Sequence, residues 1–190
     1  MTDSAPNVAP KTTARSASQT RILDAALTLF AEYGVSGTSL QMIADAIGVT
    51  KAAVYRQFKA KDDIVIAVTE RTLGKLTAAL EAAEAQPSAK RSRQVLLAAV
   101  IDVAVEDRRA ASTLQFDPVV VRLLSEHPPF QQFMTRLYGV LIGDVGDEAR
   151  LGAAMLSGAI GVAVMHPLAA DIDDDTLREY LLRRTCRFIA

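Results

Sequence analysis

Residues 38–62 read TSLQMIADAIGVTKAAVYRQFKAKD and contain two short helical patterns separated by a glycine. In the first pattern, apolar residues recur every three or four positions, the spacing of one helix face: Leu40, Ile43, Ala44 and Ile47. Gly48 can take the left-handed backbone of a sharp turn, and Thr50 restarts the helix as an amino-terminal cap. The pattern therefore predicts two short helices joined by a tight turn.

The second of these helices has two chemically different sides. Val54 and Phe58, four residues apart and assisted by Ala53, form the apolar side. The opposite side carries Lys51, Ala52, Tyr55 and Arg56. A helix that enters the major groove of DNA must be held by one side while it offers hydrogen-bond donors on the other. The segment Lys51–Phe58 has that division, which predicts the reading helix of a helix-turn-helix unit.

A third helix is expected before this pair. From about Thr20 to Tyr33 apolar residues recur at helical spacing, and Gly34 follows as a carboxyl-terminal cap. Thr38 and Gln41 have the spacing of a capping box, in which both side chains satisfy free backbone amides at a helix start. We therefore expect a bracing helix from about Thr20 and a second helix capped by Thr38.

The remainder of the chain predicts further helices and no sheet. Long stretches are rich in Ala and Leu and lack the alternation of strands, and their helical patterns cover about Asp62–Ala85, Ala89–Arg109, Leu114–Glu126, a helix from Pro128, Glu148–Met165 and Asp174–Ile189. The prediction is an all-α fold of about nine helices. It has a flexible arm at 1–19, a DNA-binding domain at 20–61 and a larger helical domain at 62–190.

The charge distribution is uneven along the chain. Residues 1–61 carry seven basic and four acidic side chains, a net charge of +3, whereas residues 62–190 carry fourteen basic and eighteen acidic ones, a net charge of −4. Only the amino-terminal third has the sign needed to lie against phosphates. Lys11 and Arg15 either enter a neighbouring minor groove or belong to a solvated tail. The single Cys186 and the absence of a signal-peptide pattern favour a cytoplasmic protein.

Several other classes of function have no support in the sequence. Motifs of hydrolases and phosphate-binding loops are absent, so no catalytic residues are predicted. Neither histidine has metal-ligand neighbours, and the acidic run at 171–175 lacks the glycine that a calcium loop needs, so no metal or cofactor is expected. Residues 151–170 carry no formal charge but are rich in Gly and Ala, which indicates a protein-protein helix and no membrane partner.

Residues 38–62 resemble the DNA-binding signature of the TetR family. The resemblance covers roughly residues 20–65 and includes the pairs Ile43-Ala44 and Gly48-Val49, then Tyr55, Phe58 and Lys61. It implies a nine-helix dimer, whose last two helices form a four-helix interface and whose middle helices enclose an effector pocket. Thr38 and Tyr55 would contact phosphates, Lys61 would approach the DNA backbone, and Thr50 with Lys51 would open the reading helix.

These inferences define three sets of candidate residues. The DNA-binding set is Thr38, Thr50, Lys51, Ala52, Tyr55, Arg56 and Lys61; of these, Lys51 and Arg56 are the donors able to reach guanine O6 and N7. The pocket set is Gln115, Phe116, Arg122, Phe130, Phe133, Met134, Tyr138, Met155 and His166. The dimer set is Ala153, Ser157, Gly158, Gly161, Leu177 and Leu181.

Each of the last two sets has an ordinary structural alternative. Aromatic residues at helical spacing serve core packing as well as they line a pocket. Small residues along one helix face allow close packing against a second subunit or within one subunit. The sequence leaves both alternatives open.

The predicted function is a TetR-type transcriptional repressor. Its dimer would bind double-stranded DNA at a palindromic operator, and an unidentified small, largely apolar effector would release it. Two alternatives remain at this stage: a constitutive DNA-binding protein without an effector, and an all-helical enzyme.

Overall fold

The computed structural model describes residues 15–108, 116–143 and 146–186. Within these ranges the chain forms nine α-helices, one short 3-10 helix at Pro167–Ala169 and no strand. The α-helices are α1 (Ala17–Gly37), α2 (Leu40–Ala46), α3 (Lys51–Gln57), α4 (Lys61–Glu84), α5 (Ala89–Glu106), α6 (Pro118–Ser125), α7 (Pro128–Ile142), α8 (Asp147–Met165) and α9 (Asp174–Thr185). The all-α expectation is confirmed.

Helices α1, α2 and α3 form a compact amino-terminal unit. α1 begins three residues earlier than predicted, because Ser16 and Gln19 form a capping box at its start. It is interrupted at Gly34, where φ is 71° and a single helical turn follows. The side chains of Ile22, Leu23, Ile43 and Val54 are fully buried between the three helices. Burial of this apolar area is the main force that holds such short helices together.

α4 is shared between two apolar clusters. Its first half contributes Ile64, Val65 and Val68 to the amino-terminal cluster. Its second half contributes Leu76 and Leu80 to a separate cluster with the later helices. The same helix therefore belongs to both halves of the molecule.

α5 is the central helix of the larger half and packs against α4, α7, α8 and α9. Leu96, Leu97 and Ile101 on α5 are fully buried, as their all-round apolar pattern predicts. Ion pairs join the periphery of this bundle, and two of them link α4 to α7 and α5 to α9. Arg136 donates to Glu84 at 2.7 Å, and Arg178 donates to Asp102 at 2.6 Å.

α6 packs across the predicted domain boundary. Although it lies far along the chain, its buried Val120 and Leu124 belong to the amino-terminal cluster. α6 contacts α1 and α4 as well as α7. The division at residue 61 stays a prediction about domains, while the apolar packing crosses it.

The predicted arm lies mostly outside the described residues, as do Lys11 and Gln115. Arg15, at the start of the first described range, donates to Glu70 on α4 at 2.9 Å. Among the described side chains, no group of three or more acidic, His or Cys residues is placed to hold a metal ion. No described helix combines the length and the apolar character that crossing a bilayer requires.

Candidate nucleic-acid interface

α3 presents the two sides that its sequence predicts. Val54 is fully buried and Phe58 is 8% exposed, so both anchor the helix in the amino-terminal core. Lys51, Ala52, Tyr55 and Arg56 are all exposed on the opposite side. They line an open depression together with Thr50 and Ala53. An amphipathic helix is thus held by its apolar face with its hydrogen-bond donors turned to solvent.

The turn before α3 has the geometry that Gly48 permits. Its φ of 69° lies in the left-handed region that favours glycine. Val49 N donates to the Ala44 carbonyl at 3.0 Å, which closes the turn. Arg21 on α1 donates to the Ile47 carbonyl at 2.9 Å and fastens the end of α2 to the bracing helix.

Thr50 caps α3 and still has a proton to offer. Its Oγ1 accepts a hydrogen bond from Ala53 N at 3.2 Å. A hydroxyl that accepts in this way keeps its own hydrogen, which can be donated to a phosphate oxygen. The prediction of a phosphate contact near the start of α3 is chemically consistent with this cap.

Lys59 is a candidate that sequence reasoning missed. Its ammonium lies 5.2 Å from the centroid of the Tyr55 ring, and the ring is half exposed. A cation over an aromatic face is attracted by the ring quadrupole. Tyr55 and Lys59 are four residues apart, which was the available signal. Together they place a phenol and a positive charge at the carboxyl end of α3.

The assignment of Thr38 to a phosphate contact and to the cap of α2 is wrong. Thr38 is buried, and its hydroxyl hydrogen is directed at the Gly34 carbonyl at 2.8 Å, with the Leu29 carbonyl also within reach at 3.2 Å. The cap is Ser39, whose Oγ accepts from Met42 N at 3.2 Å. The physical reason is that the folded end of α1 brings backbone carbonyls within reach of the Thr38 hydroxyl.

The rest of the predicted capping box is also absent. Gln41 Nε2 donates to Asp45 Oδ1 at 2.7 Å, one turn further along the helix, rather than serving the helix start. Ser39 and Gln41 are exposed beside α3.

Lys61 does not extend toward solvent as predicted. Its side chain is half-buried, and the ammonium donates to the carbonyls of Thr38, at 2.9 Å, and Val35. These carbonyls lie at the carboxyl end of α1, where the helix dipole favours a cation. The charge of Lys61 is therefore used inside the molecule, and the assignment to the DNA backbone is corrected.

The predicted pocket residues are not brought together. Phe130 and Phe133 line a small cleft between α4, α6 and α7, with Glu70 and His127 among their neighbours. Its cavity volume is only about 30 Å³. Met134 and Tyr138 are packed against the larger core, as the core-packing alternative predicts.

The other predicted pocket residues lie away from that cleft. Phe116, Arg122 and Met155 are exposed. His166 is also exposed, and its Nδ1 accepts from Leu168 N at the start of the 3-10 helix. These four assignments are corrected, because helical spacing does not distinguish a side chain that faces a cavity from one that faces solvent. Gln115 lies outside the described residues.

The predicted dimer residues are largely used within the single chain. Ala153, Gly161, Leu177 and Leu181 are buried, and Ser157 and Gly158 are half-buried. Residues that are already covered within one chain have little surface left for a second copy. The assignment of the four buried residues to the dimer interface is therefore corrected. The uncovered apolar side of α8 is instead Leu151, Met155, Val162 and Met165, which are 42–62% exposed.

Comparisons with known proteins agree with this geometry. Residues 22–68 match the family model described as bacterial regulatory proteins, tetR family. The HTH-type transcriptional regulator AcrR of Shigella flexneri is 37% identical over 102 residues, which are 51% of this chain and 47% of that protein. The HTH-type transcriptional repressor KstR2 of Rhodococcus jostii is 40% identical over 60 residues, 32% and 29% of the two chains. The chain thus spans about half the length of the first curated relative and less than a third of the second.

Solved structures share the fold over nearly the whole chain. The TetR family transcriptional regulator PfmR from Thermus thermophilus superposes with a TM-score of 0.67 at 19% identity, covering 89% of this chain and 97% of that one. NalD from Pseudomonas aeruginosa, described as the secondary repressor of the MexAB-OprM multidrug efflux pump, gives a TM-score of 0.60 at 27% identity. The coverage there is 91% of this chain and 96% of that one.

Proposed function

Because the chain belongs to the tetR family of bacterial regulatory proteins, whose members are DNA-binding transcriptional regulators and not enzymes, we propose that it is a dimeric repressor. In this proposal it binds a palindromic operator through α3, acts in the cytoplasm, and is released by a small, largely apolar effector. The observation that carries the proposal is the division of α3 between its buried anchors, Val54 and Phe58, and its exposed donors, Lys51 and Arg56.

Lys51 and Arg56 are the base-reading residues of this proposal. Both side chains stand exposed on the side of α3 opposite Val54. Lysine and arginine donate to guanine O6 and N7 in the major groove, and such contacts discriminate between bases. Tyr55, Lys59 and Thr50 supply a phenol, a cation and a hydroxyl beside them, which suit phosphate contacts that position the helix without reading sequence.

A second copy of the chain is the proposed partner for α8. Leu151, Met155, Val162 and Met165 recur at spacings of three, four and seven residues, so they lie along one side of the helix. A continuous apolar strip of this kind is unfavourable in water and is typical of an interface. Small residues between them, including Ala154 and Gly158, would let two copies approach closely.

Dimerisation also explains how a short helix reaches adequate affinity. Two α3 helices related by a two-fold axis would enter successive major grooves, about 34–36 Å or a multiple of it apart. The operator would then share that symmetry. The repressor role follows the description of KstR2 as a repressor and of NalD as a secondary repressor.

The proposed effector site is the cleft between α4, α6 and α7. Apolar side chains such as Leu73, Phe130 and Phe133 dominate its walls. Ligand pockets usually hold about 300–1,000 Å³, so the cleft of about 30 Å³ would have to open. An effector that fits only the open form would shift the population toward it and change the separation of the two α3 helices.

The small volume of that cleft also favours a second candidate function, a constitutive DNA-binding protein without an effector. Thermal unfolding with a panel of small apolar and amphipathic compounds separates the two. A compound that raises the melting temperature and weakens operator binding supports the effector-released repressor. Uniform indifference of both quantities supports the constitutive protein.

Selection of duplexes from a random pool with the purified protein tests the proposed function. We expect an enriched palindromic sequence bound by the wild type. The Lys51→Ala and Arg56→Ala variants should enrich a less defined sequence. The matched controls are Lys90→Ala and Arg91→Ala, which remove the same charges from exposed positions on α5. Failure of the wild type to enrich any sequence would contradict the proposal.

A further inference from the structure

The break in α1 at Gly34 leaves a backbone amide in need of a partner. With φ 71° and ψ 164°, Gly34 departs from the helical conformation, and a new helical turn starts at Val35. The first N–H groups of a helical segment have no carbonyl one turn behind them. Because Val35 is fully buried, water cannot serve as the acceptor for its N–H.

Asp117 satisfies that amide from the other half of the chain. Its Oδ2 accepts from Val35 N at 2.8 Å, across 82 residues of sequence. Its Oδ1 accepts from Val119 N at 2.9 Å and Val120 N at 3.4 Å, and so caps α6. One carboxylate therefore binds the start of α6 with one oxygen and the last turn of α1 with the other.

Lys61 holds the same turn from the opposite side. While the Val35 N–H donates to Asp117, the Val35 carbonyl accepts from the ammonium of Lys61. The same ammonium binds the Thr38 carbonyl, immediately before the cap of α2. The backbone that leads into the helix-turn-helix thus lies between an anion supplied by α6 and a cation at the start of α4.

α6 lies between the amino-terminal core and the cleft that it forms with α4 and α7. Leu124 contributes both to the amino-terminal core and to the wall of the cleft between α4, α6 and α7. His127, which follows α6, lines that cleft as well. A displacement of α6 by anything that occupies the cleft would pull on Asp117 and hence on Val35.

We infer that Asp117 and Lys61 are positioning residues that clamp the Val35 backbone and thereby fix the orientation of the helix-turn-helix relative to α6. This inference rests on the proposed function, because the orientation that the clamp fixes is the one that would fit an operator. Hydrogen bonds to charged groups are stronger than those between neutral groups. Asp117 and Lys61 are both half-buried, and the clamp that they form holds α1, α2 and α3 in a fixed position relative to α6.

The substitution Asp117→Asn tests the clamp while preserving volume. An asparagine side chain has a single acceptor oxygen, so it cannot both cap α6 and accept from Val35. The matched control is Asp173→Asn, since Asp173 caps α9 through Oδ1, which accepts from Thr176 N at 2.9 Å, and within the described residues it forms no hydrogen bond or ion pair with α1, α2 or α3. The asparagine oxygen can still accept from Thr176 N, and asparagine is itself a favoured capping residue.

The measurement is residue-resolved amide exchange of the full-length protein without DNA. In Asp117→Asn we expect exchange about ten-fold faster or more at Val35, together with faster exchange through α2 and α3. The amides of α5 should be unaffected. Asp173→Asn should leave Val35 unchanged. A second variant, Lys61→Met, keeps the aliphatic stem and should accelerate exchange in α2 without the Asp117 substitution.

Affinity for the selected duplex completes the test. Asp117→Asn should bind it about ten-fold more weakly than the wild type, and random duplex equally well, because the surface of α3 is intact. Unchanged exchange in α2 and α3 would overturn the clamp, and so would faster exchange with undiminished affinity for the selected duplex. The amide-exchange measurement needs no DNA. A wild type that bound no duplex would therefore contradict the proposed function but would leave the exchange result valid.

Discussion

The two apolar clusters that share α4 differ in the side chains that surround them at the protein surface. Around the amino-terminal cluster the outer side of α3 is polar and cationic, with Lys51, Arg56 and Lys59 in solvent. Around the larger cluster, α8 leaves Val162 and Met155 about half exposed. The exposed side of α3 is therefore charged, whereas the exposed side of α8 is apolar.

The difference separates a surface that suits a polyanion from one that suits a copy of itself. Exposed cations bind phosphates favourably, and their exposure to water costs little free energy. An exposed apolar strip contributes favourable free energy only when another apolar surface covers it and removes it from water. Different changes should therefore impair each surface, and each change should spare the other half of the molecule.

The largest effect is expected from a charge on the apolar strip. Val162→Glu would bury an unpaired carboxylate in the proposed dimer, which costs about 3–5 kcal/mol of association free energy. Sedimentation equilibrium should show a dimeric wild type and a monomeric variant. The helix content of the variant, measured by circular dichroism, should be unchanged. Lys90→Glu, an exposed change on α5, is the control and should remain dimeric. A wild type that sediments as a monomer at micromolar concentration contradicts this account of α8.

The next effect concerns base preference. Lys51→Ala or Arg56→Ala should reduce the discrimination between the selected and a random duplex by about 1–3 kcal/mol each. Fluorescence anisotropy with both duplexes measures this, and Arg91→Ala serves as the control. If discrimination stays intact in both variants, α3 does not read bases through these side chains.

A smaller effect is expected at the edge of α3. Lys59→Met keeps the aliphatic stem over the Tyr55 ring but removes the cation. Loss of one phosphate contact should lower the slope of log affinity against log salt by about 0.9, equally for all sequences. Titrations at several salt concentrations give that slope. A sequence-dependent loss would mean that Lys59 reads bases instead.

The smallest effect is electrostatic and lies in the larger half. The backbone N–H of Thr176 binds the carboxylate of Asp173 and lowers its pKa below the ordinary value. A lowered folded-state pKa stabilises the fold above the ordinary carboxyl pKa, and this contribution disappears as the pH falls through the folded-state value. The wild type should therefore exceed Asp173→Asn in stability at pH 7 and match it in acid. Urea unfolding at both pH values checks this, and a difference independent of pH would contradict it.

The amino-terminal half was predictable because its signals are local. Gly48 in a tight turn and the inward Val54 and Phe58 depend on residues that are neighbours in sequence. The predictions that failed there concern side chains whose hydrogen-bond partners are determined by the folded chain. Thr38 and Ser39 are adjacent hydroxyl residues, and only the folded end of α1 determines which of them caps α2. Lys61 binds carbonyls that sequence spacing could not place.

The larger half was predicted in outline but not in its contacts. Helical periodicity located α5, α7 and α8, yet it could not say which neighbour each face meets. Small residues such as Ala153 pack inside the chain, while the larger Met155 is exposed. Sequence spacing gives no sign of the role of Asp117, because its partner Val35 lies 82 residues away.

In the proposed function, α3 reads DNA from the major groove. Methylation interference on the selected duplex tests it most directly, because guanine N7 lies in the major groove and adenine N3 in the minor groove. N7 methylation should block binding at two symmetric clusters of guanines about one helical turn, or a multiple of it, apart. Interference confined to adenine N3, or none at all, would contradict it.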